Sequence, residues 1–324
     1  MTKEKNQKKQ VNDSFDLSDK DEYSHDWGKF PPFHNESWYF NFIDRPNNVF
    51  FITRLSYNMD KKKSLVLVLP IIDGKVRVYF KEIPLEKMPA NWEIDNKVKY
   101  YCLKPMKQWR IKFKNSQVDL DVNLEGRFPI FNSAAGTDPL AFLKEEGFTK
   151  TEQVFAQMHY EQPMIATGTL ILKKKGEVIE TRTIKGFGHR DHSWGIRDWG
   201  GIDSWNWVVA QFEDETINFY KAEAIGEVKQ DGIIYSKGAD NIRITNIEVS
   251  TKKKEDEKTP VSSTFIITDE NGKKRTIESK TIFSQYLPLP SEKGLTEIYE
   301  QVAIFTYNGK EGDGISEYLS TTRD

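Results

Sequence analysis

From Val49 to the C-terminus, apolar residues recur at every second position in short runs broken by turn residues. That is the period of half-buried β-strands rather than of helices. Val49–Tyr57 is one such run. Leu65–Ile72 and Lys75–Ile83 flank Asp73-Gly74, a two-residue hairpin signal, and Val98–Leu103, Gln108–Lys114 and Val118–Leu124 continue the series. Thr151–Glu161, Ile165–Lys173, Val178–Gly186, Ser204–Glu213, Thr216–Ala224, Ile242–Ser250, Val261–Thr268 and Arg275–Ile282 follow, with Asn271-Gly272 marking a second hairpin. Glu297–Tyr307 and Ile315–Leu319 close the chain. Asp138–Glu146 reads as a helix, with Pro139 in its first turn and Gly147 past its end.

So many short strands with so little helix predict an all-β protein of antiparallel barrels or sandwiches. About 290 ordered residues exceed what one β domain needs, so two domains are expected, 27–185 and 186–324, with a boundary good to about 20 residues. Residues 1–26 are polar, basic first and then acidic, with no periodicity, and read as a disordered tail.

Composition narrows the function classes. The chain has 324 residues, 30% of them charged, and a net charge of −2. No charge imbalance directs it to nucleic acid, and membrane contact is expected to be peripheral at most. Cys102 is the only cysteine, so no intrachain disulfide forms. The N-terminal segment lacks the apolar core of a secretory signal, and Leu65–Ile72 is far too short to span a bilayer. A cytoplasmic location is the expectation.

Four of the eight tryptophans, Trp194, Trp199, Trp205 and Trp207, fall between positions 194 and 207. They surround the polar motif GFGHRDHSWGIRDWGGIDSWNW at 186–207. Read as a strand, Gly186–Trp194 places Gly186, Gly188, Arg190, His192 and Trp194 on one face. Phe187, His189, Asp191 and Ser193 take the other, and Trp205, Trp207 and Val209 share a face on the next strand. His189-Arg190-Asp191 resembles the front half of an iron facial triad, but no histidine follows His192 to complete it. A strand aims His189 and His192 to opposite sides, which argues against zinc. Ser193 lacks a nucleophile elbow, and no phosphate loop or dinucleotide fingerprint is present. Neither metal nor cofactor is expected. General acid chemistry remains: Asp191, His192, Asp198 and Asp203 are candidate proton donors, burial beside indoles raises a carboxyl pKa, and indole faces stabilise cations. The competing reading pairs Arg190, Asp191, Arg197 and Asp198 as a lock at a domain junction.

Gly186–Trp199, with DHSWG at its centre, is similar to the motif of the carotenoid hydratase (hydroxyneurosporene synthase) and AttH-like superfamily. It also resembles the fungal decalin-forming Diels–Alderases of the same architecture. The fuller RDHSWGIRDW, together with HYEQ at 159–162 and GDGISEY at 312–318, resembles a branch that pairs two domains of unknown function. The likeness covers most of residues 30–320. It implies two tandem lipocalin-like β-barrels with few short helices, and a pocket for a long apolar substrate lined by His192 and Trp194. The family's catalytic Asp falls on a strand that aligns with Ile217–Glu223 (INFYKAE), which carries Tyr220 and Glu223 but no Asp.

The combined expectation is a cofactor-independent enzyme of terpenoid or polyene-like substrates that protonates a double bond, as in hydration or isomerisation. His192 and Asp191 would supply the acid and its partner. Arg190, Trp194, Trp205, Trp207, Tyr220 and Glu223 would shape the substrate site. The alternatives are a non-catalytic carrier of a hydrophobic small molecule or lipid, and a scaffold with the motif packed solid between domains.

Overall fold

The computed structural model describes residues 17–133, 154, 158–291 and 294–323, so the helix expected at 138–146 lies outside the described residues. The described chain is all-β and forms two antiparallel units. The first contains β1 (His34–Asp44), β2 (Val49–Asn58), β3 (Lys63–Ile72), β4 (Lys75–Val76), β5 (Tyr79–Pro84) and β6 (Val98–Lys104). It continues with β7 (Gln108–Lys114), β8 (Val118–Gly126), β9 (Phe131–Asn132), β10 (Met158–Lys174) and β11 (Glu177–Ile196). Their order across the sheet is β4-β3-β2-β1-β11-β10-β8-β7-β6, with β5 paired to β3 and β9 to β10. The second unit is a closed barrel in sequential order: β12 (Ile202–Gln211), β13 (Glu215–Ala224), β14 (Glu227–Ser236), β15 (Ile242–Lys253), β16 (Pro260–Asp269), β17 (Lys274–Ser291), β18 (Gly294–Tyr307) and β19 (Lys310–Arg323).

Where alternation is clean, the strands follow it. On β7 and β8, Trp109, Ile111, Phe113, Val118, Leu120 and Val122 are buried while their neighbours are partly exposed. Asp73 and Gly74 both take positive φ (53° and 73°), the conformation a tight primed hairpin demands, and they join β3 to β4. β1 escaped the sequence pattern because all eleven of its residues are buried. Trp38, Phe40 and Phe42 enter the first unit's core, while Tyr39 and Ile43, on the other face, pack against the barrel. A strand covered on both faces has no polar side to reveal it.

A third apolar layer joins the units. Tyr39, Ile43, Phe50, Ile52, Leu69 and Ile71 of the first unit meet Trp207, Val209, Val302 and Ile315 of the barrel. By sheet membership β11, which ends at Ile196, belongs to the first sheet, and β12, which starts at Ile202, opens the barrel.

The expected disorder of residues 1–26 is corrected from Leu17 onward. Ser18 caps a short 3-10 turn at Asp19–Glu22, and Ser24 Oγ donates to the Pro89 carbonyl at 2.5 Å. Glu22 is fully buried. This strap is ordered by partners far along the chain, which local composition does not register.

Gly314 on β19 tests the close approach of backbones in the barrel wall. A Cβ there would sit 1.8 Å from the Val209 carbonyl oxygen. Gly314→Ala is expected to cost about 3 kcal/mol or more in urea denaturation, whereas Gly309→Ala, in an open turn at φ 74°, should cost about 1 kcal/mol. Equal costs would show that the approach at Gly314 is relaxed in solution.

Candidate active site between the two β-units

The motif strand β11 lies between β1 and β10, and its register decides what each motif residue meets. His192 stands opposite Trp38 and Tyr160, and Asp191 opposite Tyr39 and Glu161. Alternation therefore sends Arg190, His192 and Trp194 into the first unit and Asp191 toward the barrel.

The inward face is packed solid. The His192 ring stacks on Trp38 at 4.4 Å, and Trp194 stacks on His25 of the strap at 4.2 Å. Glu36 Oε1 lies 3.0 Å from His192 Nε2 and 2.7 Å from His25 Nδ1, and its other oxygen accepts the His25 backbone N–H. Burial would raise the Glu36 carboxyl, but these bonds hold it down at about 2. Burial drives His192 below its usual value, while Glu36 overcomes burial and raises His25. Arg190 donates to both Glu22 oxygens, at 2.6 and 3.1 Å, and to Gln162 at 3.0 Å. Tyr160 donates to Glu22 at 2.8 Å. Arg190 thus keeps Glu22 ionised against the opposing effect of burial.

His25, Glu36 and His192 hold their donor atoms within 4.8 Å of one another, close enough for a cation. Both ring nitrogens that face Glu36 are already hydrogen-bonded to it, so the cluster is complete without one.

The expectation that Arg190, His192 and Trp194 line a substrate pocket is thereby corrected. Their face of β11 looks into a core already filled by Trp38, Phe40, Tyr100 and Trp109. Glu223 is corrected too. It lies on the face of β13 opposite Tyr220 and borders a separate pocket of about 270 Å³ beside Lys221, Lys253 and Lys258. The lock formed by Arg190, Asp191, Arg197 and Asp198 also does not assemble, since Arg190 pairs with the strap.

The outward face opens on a cavity of about 830 Å³ between the units. Asp191, Trp205, Trp207 and Tyr220, all expected at the site, line it. They are joined by Tyr39 and Arg54 of the first unit, Arg197 and Trp199 of the connection, and Glu300 and Glu317 of the barrel. Leu65, Leu67, Leu287, Leu289 and Ile298 form its apolar walls.

The carboxyls here differ from those of the interior. Glu161, beside Asp191 across the β10–β11 pair, sits 2.9 Å from His189 Nε2 and accepts from Trp207 Nε1 at 3.0 Å. Burial works against its charge, but those bonds keep Glu161 ionised. Among the described residues none hydrogen-bonds the Asp191 carboxyl. Burial, reinforced by the Glu161 charge, pushes it up to about 8, against the opposing pull of Arg197 and Arg54. Glu300 and Glu317 rise as well, chiefly through burial; Glu300 donates to Glu317, which also accepts from Trp205 Nε1 at 2.6 Å. His159, at the cavity edge, falls to about 4 through burial. The guanidiniums of Arg54 and Arg197 lie 5.6 and 5.1 Å from the centre of one indole, Trp199.

Sequence reasoning missed Tyr39, Arg54, Glu300 and Glu317. Two of the resemblance strings do carry part of the site. In HYEQ, His159 borders the cavity, Glu161 sets the charge beside Asp191, and Tyr160 and Gln162 bond the interior network. In GDGISEY, Glu317 faces Trp205.

The fold, a β-sheet unit followed by a closed eight-stranded barrel, is lipocalin-like and is shared with solved structures of low sequence identity. Similar folds include an AttH-type protein (NE1406) from Nitrosomonas europaea, 14% identical with a TM-score of 0.62, covering 89% of this chain and 92% of that one. Kievitone hydratase from Nectria haematococca is 11% identical with a TM-score of 0.60, over 93% and 94% of the two chains. CghA, whose structure is also known with Sch210972, is 11% identical with a TM-score of 0.61, over 91% and 90%. The chain belongs to the family described as Domain of unknown function (DUF7064), matched over residues 18–322. Among curated proteins none matches. No helix among the described residues is long and apolar enough to cross a membrane.

The interior network makes a direct stability prediction. Glu22→Ala strands Arg190 in the core and is expected to cost about 3–5 kcal/mol in urea denaturation. Asp73→Ala, which removes an exposed partner of Arg182 at a positive-φ turn position, should cost about 1–2 kcal/mol. A cost for Glu22→Ala as small as that for Asp73→Ala would mean the strap does not seal the network in solution.

Proposed function

We propose that this protein is a cofactor-independent enzyme of a hydrophobic, unsaturated substrate, with Asp191 as the general acid that protonates a double bond in the cavity between the units. The observation that carries this reading is one carboxyl: Asp191 faces an indole-lined cavity and is held protonated up to about pH 8. General acids work best when their pKa lies near the working pH. The fold neighbours include a protein named a hydratase, which favours addition of water among the reactions open to such an acid.

The chemistry follows from the groups present. The Asp191 O–H proton passes to one alkene carbon, the π pair forms the new C–H bond, and the adjacent carbon becomes cationic. The faces of Trp205 and Trp207 border the same space and stabilise that cation. Arg197 and Arg54 favour the Asp191 carboxylate left behind. Water then bonds to the cation and returns its proton to Asp191, which gives hydration. Loss of a neighbouring C–H proton to Asp191 gives isomerisation instead. His192, behind the strand, acts only on the packing that holds β11.

Incubation in D2O with a panel of prenylated and polyene compounds should place deuterium on carbon in at least one of them. Asp191→Asn should reduce that incorporation by about 10²–10⁴-fold. Wild-type activity should fall as pH rises through about 8. A protein that retains these compounds without any exchange at carbon is a carrier, and the enzymatic reading is then lost.

Stability supplies a separate check. The folded Asp191 carboxyl lies far above its ordinary value of 3.8, so its stabilising contribution is full below about pH 4 and is lost as pH rises to about 8. Asp191→Asn should therefore melt above wild type at pH 8, and the gap should close toward pH 4. A gap independent of pH would mean that the carboxyl ionises normally.

A further inference from the structure

The polar end of the cavity contains more than the proposed acid requires. Arg54 and Arg197 flank the Trp199 indole from positions 5.6 and 5.1 Å from its centre, and Arg197 also lies 5.9 Å from the centre of Trp205. Burial lowers the proton affinity of both guanidiniums, and the Arg197 charge lowers that of Arg54 further, which places two like charges in one buried wall. A protein that gathers two cations in one wall normally supplies anions against them. Here the facing acids are Asp191 on β11, Glu300 on β18 and Glu317 on β19, and burial raises all three. The charge of Glu161 is already engaged by His189 and Trp207.

The hydrogen bonds are incomplete in the same place. Among the described residues the buried Arg197 Nε has no hydrogen-bond partner. The Arg54 guanidinium makes one hydrogen bond among the described residues, to Asn35 at 3.2 Å. Buried donors are rarely left unpaired in folded proteins, so the wall is set up for acceptors that the described residues do not provide.

We infer that the ligand of this cavity is an amphiphile whose polar end is an ionised oxygen, a carboxylate, enolate or phenolate, seated between Arg54 and Arg197, with its carbon skeleton along Leu65, Leu67, Leu287, Leu289 and Ile298. This rests on the cavity being the ligand site, as proposed above, and narrows the substrate class. Guanidinium forks suit planar oxyanions, and hydrogen bonds to charged groups are the stronger kind. The arrangement couples binding to catalysis. A ligand anion beside the arginines offsets the cations that draw the proton from Asp191, so an occupied site holds its acid more firmly in the protonated form.

Titration calorimetry with dodecanoate and 1-dodecanol, below their aggregation limits, separates head from tail. Wild type should bind dodecanoate about 10–100-fold more tightly, the equivalent of one or two charge-assisted bonds. In Arg197→Gln that advantage should shrink toward unity with dodecanol binding unchanged, and Arg54→Gln gives an independent copy of the measurement. At pH 8, titrations in buffers of different ionisation enthalpy should show uptake of up to about half a proton per dodecanoate, absent in Asp191→Asn. Equal affinity for the two probes, or a preference that survives both arginine variants, overturns the inference. Failure of both probes to bind removes it together with the cavity reading. Arginine-dependent dodecanoate binding without deuterium exchange at carbon leaves this inference standing and removes the enzymatic one.

Discussion

Neighbouring residues of a β-strand must face opposite ways, and β11 is covered on both sides. That constraint separates Asp191 from His192 by the thickness of a sheet although they are adjacent in sequence. One of them enters a finished core and the other enters the gap between two units. Because β1 pairs with β11 along its whole length, the same division runs through Trp38 and Tyr39. The apolar contact from Tyr39 and Ile43 to Trp207 and Val209 joins the units beside the gap and fixes its walls.

The two faces show how one residue type takes opposite states. Glu22, Glu36 and Glu161 are buried, yet each has a cationic or N–H partner within 3.1 Å and stays ionised. Asp191 and Glu300 are also buried, but no cation among the described residues bonds them directly, and burial raises both. Depth alone does not decide the outcome. At Glu22, Glu36 and Glu161 direct hydrogen bonds backed by nearby positive charge reverse the effect of desolvation, whereas at Glu317 the Trp205 bond opposes it without reversing it.

Much of the fold was legible in the sequence, and the site was partly so. Strands with one wet face, such as β7 and β8, were visible because alternation is a signal of unequal surroundings. β1 has equal surroundings on both faces and carries buried Asn35, Glu36, Ser37 and Asn41, so nothing in its local pattern distinguishes it from a loop. The face containing Trp205 and Trp207 was read correctly from period alone, as was the division of the motif into two faces. Which of those faces meets the cavity is a long-range fact. It depends on Glu22 reaching Arg190 across 168 positions and on Trp38 filling the space beside His192. Arg54, Glu300 and Glu317 come from three separate strands, and no spacing along the chain brings them together.

One wall of the cavity has a bearing on solubility. Beyond Lys280, β17 no longer pairs with β16, and among the described residues Phe283–Ser291 pairs with β18 alone, which makes it an edge. Such an edge, with Tyr286 and Leu289 partly exposed, would ordinarily invite a strand from a second molecule. Pro288 and Pro290 stand two positions apart and have no N–H to offer, so the free side lacks two consecutive donors of the ladder that an incoming strand would need. The Leu-Pro-Leu-Pro stretch can therefore present apolar side chains to a small molecule while refusing β-sheet growth, so a greasy rim does not become a template for aggregation.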